Sequence, residues 1–188
     1  MSEWKTTKEL NGNWKKGWAL DQHMMQWPKR TEIAEMLYQL KYNNDKSKIE
    51  PLAEEIYKFM KTRYVTKYLS IIIPVPPSNV QRQFQPVLEV AKSIGKKLKI
   101  DVSNDCVLKT KTTDVMKNIP IEVRKKKLSG IFKVKNSLVK NKKVLLFDDI
   151  YETGSTLKEI TKVLYSEGHV QNVYVVTITK TTTKSNSQ

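Results

Sequence analysis

Two adjacent carboxylates, Asp148 and Asp149, follow the apolar run Val144-Leu145-Leu146-Phe147, and Ile150-Tyr151-Glu152-Thr153-Gly154-Ser155-Thr156 comes directly after them. This order describes a buried strand, an acidic pair, a hydroxyl-rich turn and the start of an amphipathic helix. The N–H groups of such a turn, together with the helix dipole, attract an anion, phosphate above all. The hydroxyls of Thr153, Ser155 and Thr156 add donors. Carboxylates repel a phosphate, so Asp148 and Asp149 suit sugar hydroxyls, or a Mg²⁺ that they share with the ligand. The segment therefore reads as a place to hold a sugar phosphate. An acidic pair that merely caps a helix is the bland alternative. The residues argue against a Walker-type nucleotide loop, because no Gly-Lys-Ser/Thr follows the turn.

The secondary structure around these groups is legible in part. Residues 31–42 form a helix with Thr31 as N-cap and with Ile33, Met36, Leu37 and Leu40 on one face. Residues 50–62 form a second helix, with Pro51 in its first turn. A buried strand spans 68–75, and Pro76-Pro77-Ser78-Asn79 turns beyond its end. A helix covers 85–94, with Pro86 near its start and Gly95 at its end. Short strands are expected at 98–102 and 106–108, a mobile polar loop at 109–119, a basic helix at 120–128 and a small strand at Phe132 and Val134. After the acidic pair and its turn, a helix runs to Glu167, and 173–178 is a β-branched strand. Residues 179–188 read as a frayed polar tail. Strands separated by helices predict a parallel α/β sheet with helices on both faces, which binds ligands at the C-terminal strand ends. The loops after Val75, Leu108 and Phe147 then converge on one cleft.

All four tryptophans, Trp4, Trp14, Trp18 and Trp27, lie in residues 1–28, where Gly12 and Gly17 interrupt any helical period. This is an ordered extension whose aromatics pack on the body or over the site. The expected organisation is a hood-like N-terminal unit of Trp-rich extension and helices over 1–65, a core over 66–180 and a tail over 181–188.

With 188 residues the chain suits one domain with an appendage. No apolar run approaches the ~20 residues that span a bilayer, and the N-terminus lacks the apolar stretch of a signal peptide, so a cytoplasmic location is expected without membrane insertion. A single cysteine, Cys106, excludes an internal disulfide and a Cys-based zinc site. The net charge of +15 predicts attraction to polyanions or phosphorylated ligands. From 123 to 147 there is no acid, while Arg124, Lys125, Lys126, Lys127, Lys133, Lys135, Lys140, Lys142 and Lys143 are basic. A solvated lysine-rich surface explains this as well as a nucleic-acid track does.

The stretch from Val144 to Thr156 resembles the phosphoribosyl-diphosphate (PRPP) signature of type I phosphoribosyltransferases: apolar residues, two acids, two apolar residues, then a small or acidic residue before Thr-Gly-x-Thr. Three further stretches resemble the ComF-like branch of that family, which is linked to DNA uptake in natural competence. They are Tyr38-Gln39-Leu40-Lys41-Tyr42 with Asn43-Asn44-Asp45; Ile72-Ile73-Pro74-Val75-Pro76-Pro77 with Arg82-Gln83-Phe84-Gln85; and Leu108-Lys109 through Arg124-Lys125-Lys126-Lys127 to Gly130-Ile131-Phe132. The chain departs from the PRPP signature in Tyr151, where an aliphatic residue is expected. It departs from that branch in lacking the four-cysteine zinc ribbon with which many members begin, in Glu152 where a Thr or Ser is usual, and in the low density of basic residues before Pro120.

The resemblance implies a phosphoribosyltransferase fold and a protein that binds PRPP with Mg²⁺ and transfers the phosphoribosyl group to a base or amine, releasing pyrophosphate. It assigns Asp148 and Asp149 to the ribose and, through the ligand, to Mg²⁺. Glu152, Thr153, Gly154, Ser155 and Thr156 take the 5′-phosphate loop, with Glu152 also where some members place a general base. The backbone at Pro76, Pro77 and Ser78 and the ammonium groups of Lys109 and Lys111 face the pyrophosphate, with Arg124 and Lys125 behind them. A homodimer is implied as well. The alternative is a non-catalytic, PRPP- or nucleotide-responsive protein that holds single-stranded DNA on Arg124, Lys125, Lys126 and Lys127.

Overall fold

Strict alternation in the long apolar strands builds two cores, one on each face of a single sheet. The computed structural model describes residues 7–26, 29–79, 82–110, 130–135 and 137–181. The strands in chain order are β1 (Lys8–Glu9), β2 (Lys16–Gln22), β3 (Met24–Gln26), β4 (Lys29–Arg30), β5 (Ile71–Pro74), β6 (Asp101–Val102), β7 (Val107–Lys109), β8 (Phe132–Val134), β9 (Lys143–Tyr151) and β10 (Asn172–Lys180). The helices are α1 (Glu32–Tyr42), α2 (Ile49–Lys61), α3 (Pro86–Leu98) and α4 (Ser155–Ser166). The central sheet has the order β1-β2-β10-β9-β5-β6. All its neighbours are parallel except the antiparallel β1–β2 pair.

Along β9, Val144 and Leu146 join a core with Leu157, Ile160 and Leu164 of α4, while Leu145 and Phe147 join the opposite core. That second core holds Leu37 and Leu40 of α1, Ile56 and Phe59 of α2, and Val90 and Ile94 of α3. The period of two sends alternate residues to alternate faces. Each fully buried large side chain, such as Phe147, contributes about 1.5–3 kcal/mol. The expected fold class, α/β with a mostly parallel sheet and helices on both faces, is the one observed.

Several boundaries differ from the sequence reading for physical reasons. The apolar run before Val75 pairs only over β5, because Tyr64–Tyr68 turns as a 3₁₀ segment before it. Gly95 does not end α3. The helix continues to Leu98 and closes on Lys99 in the left-handed region. Gly95 instead permits close packing, since a Cβ there would lie 2.4 Å from Val102 Cγ2 and 2.7 Å from the Ile100 carbonyl oxygen. The strand expected at 98–102 forms only over β6, and β10 extends to Lys180 instead of fraying at 179. The polar loop after Lys109 and the basic helix at 120–128 lie outside the described residues, except for Lys109 and Thr110.

The N-terminal segment supplies β2 to the sheet, parallel to β10, with Val176 opposite Trp18 and Thr177 opposite Ala19. Ala19 faces one core and Leu20 the other. Trp14 is buried and donates its Nε1–H to the Leu10 carbonyl at 2.9 Å. Thr31 Oγ1 donates to the Gln22 carbonyl at 2.9 Å and accepts the Ala34 N–H at 3.2 Å. A cap of this kind contributes about 1 kcal/mol and here also fixes where α1 starts relative to the end of β2.

Candidate functional site

The chain leaves β5 outward through α3 to β6, and it leaves β9 in the other direction through α4 to β10. The β5–β9 junction is therefore the point where strand order reverses, and the crevice beyond it is where parallel sheets hold ligands. Pro74 is opposite Phe147 in the register, and the Val75 N–H still donates to the Phe147 carbonyl at 2.8 Å. There β5 ends; Pro76 is half-buried, and Pro77 and Ser78 follow exposed at the surface.

The acidic pair lies inside β9, not beyond its end. Asp148 is opposite Thr177 and Tyr151 opposite Lys180 on β10. Asp148 Oδ1 accepts the Asp149 N–H at 2.8 Å. Asp149 Oδ2 meets Lys41 Nζ at 2.6 Å, with both side chains largely buried. Burial pulls the Lys41 ammonium down, and the Asp149 carboxylate more than offsets this, so Lys41 sits above its ordinary value. Burial, reinforced by the neighbouring Asp149 charge, pushes the Asp148 carboxyl up to about 8. Folding thus favours protonated Asp148, and the folded state holds one more proton than the unfolded chain between roughly pH 4 and pH 8. The ligand-free protein is expected to lose stability as pH rises through that window. Asp148→Asn removes this slope, so the variant should gain stability relative to wild type from pH 5 to pH 8 in chemical denaturation. A difference independent of pH would mean that Asp148 is ionised throughout.

The turn after β9 places Gly154 at φ 70°, ψ 7°, the left-handed region that favours glycine. The N-cap residue Gly154 has no side chain to cap α4, so the N–H groups beyond Ser155 are the ones offered to an anion. Thr153 Oγ1 and Ser155 Oγ lie 2.9 Å apart at that end, and the Ser155 N–H reaches Thr153 Oγ1 at 3.4 Å. Thr156 is half-buried and Glu152 is exposed. Tyr151 packs edge-on to Trp14 with ring centroids 6.4 Å apart. Its hydroxyl reaches the Asn11 carbonyl at 3.4 Å, and Asn13 Nδ2 donates to the Lys158 carbonyl at 3.0 Å. The N-terminal segment thereby braces the turn. A Cβ on Gly154 would meet Tyr151 Cε2 at 2.6 Å. Gly154→Val combines that clash with left-handed strain in a β-branched residue. It should weaken PRPP and ribose 5-phosphate binding alike, by at least about tenfold for a displaced turn. Loss of PRPP binding alone, read by calorimetry, would move the 5′-phosphate elsewhere.

Lys109 ends β7, half-buried, and burial lowers its ammonium below the ordinary value. The antiparallel β7–β8 pair packs on the α4 side of the sheet. Lys111, Arg124, Lys125, Lys126 and Lys127 lie outside the described residues. Sequence reading misses the groups on the other side of the pair. Lys41 stands within the 38–42 stretch, but its role as the counter-ion of Asp149 is visible only in three dimensions. Arg82 Nη2 donates to the Lys41 carbonyl, so the stretches 38–42 and 82–85 meet here. Arg30 pairs with Glu35 at 3.2 Å and lies 3.9 Å above the Tyr38 ring. His23 Nδ1 lies 3.1 Å from Thr179 Oγ1; burial, then Arg30 and Lys41, hold it below its ordinary value.

Among the described residues no three or more His, Cys, Asp or Glu side chains gather as a metal cage. Two carboxylates do fit a Mg²⁺ that takes most of its oxygens from a diphosphate and water. Among the described residues no helix is long and apolar enough to cross a membrane.

No protein-family model and no curated protein matches this chain. Among solved structures it is similar to a hypothetical protein from Neisseria gonorrhoeae with bound ppGpp, at 12% identity and a TM-score of 0.47 over 76% of this chain and 73% of the other. It is similar to a hypoxanthine phosphoribosyltransferase from Staphylococcus aureus, at 19% identity and a TM-score of 0.43 over 72% and 67%. It is also similar to adenine phosphoribosyltransferase from Leishmania donovani, at 8% identity and a TM-score of 0.47 over 80% and 75%.

Proposed function

We propose that this chain is a phosphoribosyltransferase-type protein of the ComF-like branch that binds PRPP with Mg²⁺ at the C-terminal end of β9. One observation carries the reading. An acidic pair and an uncapped helix N-terminus with a left-handed glycine follow each other on one strand, at the point where strand order reverses. In this reading Asp148 and Asp149 accept hydrogen bonds from the ribose hydroxyls. Thr153, Gly154, Ser155 and Thr156 enclose the 5′-phosphate with backbone N–H groups and hydroxyls. Pyrophosphate leaves C1 with the electron pair of the breaking C–O bond, and a nitrogen of the acceptor forms the new bond. Glu152 takes the proton released by that nitrogen. Lys109 and Lys111, with the backbone at Pro76, Pro77 and Ser78, face the departing pyrophosphate. Bound Mg²⁺ supplies neutralisation of the diphosphate charge.

Calorimetry of the full chain with PRPP, with and without Mg²⁺, tests the binding step. A pyrophosphate-release screen over purine and pyrimidine bases tests turnover, and Glu152→Gln should lower turnover while leaving PRPP affinity within a few-fold. No heat with PRPP in the presence of Mg²⁺ removes the reading altogether. Binding without release for any acceptor leaves a ligand-responsive protein instead of an enzyme.

A further inference from the structure

The N-terminal ends of the parallel strands form the opposite end of the sheet from the acidic pair. Lys143 opens β9, five residues before Asp148, which is about 17 Å along an extended strand. At that end the 3₁₀ segment Tyr64–Tyr68 presents two tyrosines to solvent, Tyr64 at 74% and Tyr68 at 43% exposure. Their ring centroids are 5.4 Å apart at an interplanar angle of 59°, and their hydroxyls are hydrogen-bonded at 2.8 Å. Lys67 Nζ lies 3.9 Å from the Tyr64 centroid and 5.0 Å from that of Tyr68. Lys143 Nζ lies 4.7 Å from the Tyr68 centroid. The Ser70 N–H donates to the Lys143 carbonyl at 2.9 Å and ties the segment to the start of β9. Lys61, Lys140 and Lys142 are exposed on the flanking segments, and neither 61–70 nor 137–147 contains an acid.

Exposed aromatic rings interleaved with cations, on segments that hold no acid, match one class of partner. Bases stack on the rings with little regard to sequence, and ammonium groups neutralise the phosphates between them. The mutual hydroxyl bond holds the rings in place, which lowers the entropy cost of binding. An acidic peptide would use the lysines and leave the rings idle. We propose that this end of the sheet binds single-stranded nucleic acid, with Tyr64 and Tyr68 stacking on bases and Lys67 and Lys143 pairing with phosphates. The surface is separate from the sugar-phosphate cleft, and it differs from the Arg124–Lys127 track to which the sequence points.

Fluorescence anisotropy with the full chain at low salt tests this, using a short labelled oligothymidylate, an abasic oligomer of the same length and phosphatidylserine vesicles. Oligothymidylate should bind, and the abasic oligomer should bind at least about tenfold more weakly for one or two stacked bases. Tyr64→Ala with Tyr68→Ala should weaken oligothymidylate binding by roughly five- to a hundredfold, while Tyr64→Phe with Tyr68→Phe, which keeps both rings and loses only the hydroxyl bond, should lose no more than roughly fivefold. Lys67→Ser with Lys143→Ser should lower the log–log salt slope by about 1.4, for two phosphates at about 0.7 each. PRPP affinity should not change in any of these variants. Equal affinity for the abasic and thymidine oligomers of the wild-type chain overturns the proposal without relying on any variant. Binding confined to vesicles, or an alanine pair that binds like wild type, overturns it too.

Discussion

Asp148→Asn combined with Asp149→Asn is expected to weaken PRPP binding by at least about a hundredfold. Ligand binding has to ionise Asp148, whose carboxyl burial holds up at about 8 in the free protein. Each carboxylate of the proposed site then accepts a charge-assisted hydrogen bond from a ribose hydroxyl, and losing such a bond costs on the order of 1.5–3 kcal/mol. Two losses on one ligand exceed a hundredfold in affinity. The fold should survive, because both side chains are replaced by polar groups of the same shape in a strand whose register β10 sets on its own over this stretch. The backbone N–H at position 149 keeps an acceptor, the amide oxygen that Asp148→Asn introduces. Calorimetry measures the affinity, and circular dichroism checks the fold. Unchanged affinity in a folded double variant would remove the acidic pair from the site and the phosphoribosyl reading with it.

Lys41→Met should be the most destabilising single change at the cleft. It leaves the Asp149 carboxylate without its counter-ion, next to an Asp148 carboxyl already pushed up to about 8 by burial and by that same neighbour. Breaking a largely buried pair by removing one partner costs on the order of 3 kcal/mol, because the remaining charge stays out of water. Adding Asp149→Asn to Lys41→Met removes that charge and should recover most of the loss, whereas unrelated sites would simply add. Urea denaturation at pH 7 of both single variants and the double variant measures the coupling. Lys41→Met with the stability of wild type would mean that Lys41 reaches solvent and Asp149 needs no partner. The pair also bears on ligand binding. A ribose hydroxyl arriving at Asp149 must share or displace the Lys41 ammonium, so affinity at this acid reports on both partners.

The local elements around the proposed site can be read from neighbouring residues alone. Thr31 marks the start of α1, since a hydroxyl ahead of an amphipathic period is recognised from a few neighbours. The β-branched and apolar runs of β9 and β10 mark the centre of the sheet, because burial on both faces leaves near-continuous apolar sequence. Gly154 between Thr153 and Ser155 marks the turn, and its left-handed backbone is what glycine there permits. The order of strands and helices is enough for the α/β class. Three features depend on the assembled molecule. The Trp-rich segment carries no strand period of its own, yet it pairs with β10 and braces Tyr151 through Trp14. Pairing with a finished edge rewards a backbone whose own pattern is weak. Lys41 and Asp149 are far apart in the chain, and only the packing of α1 on the sheet brings them to 2.6 Å. Tyr64, Tyr68 and Lys143 join at the far end of the sheet for the same reason. Local sequence sets each residue's preferred backbone, but which charges and rings meet depends on how separate elements bury their apolar faces together.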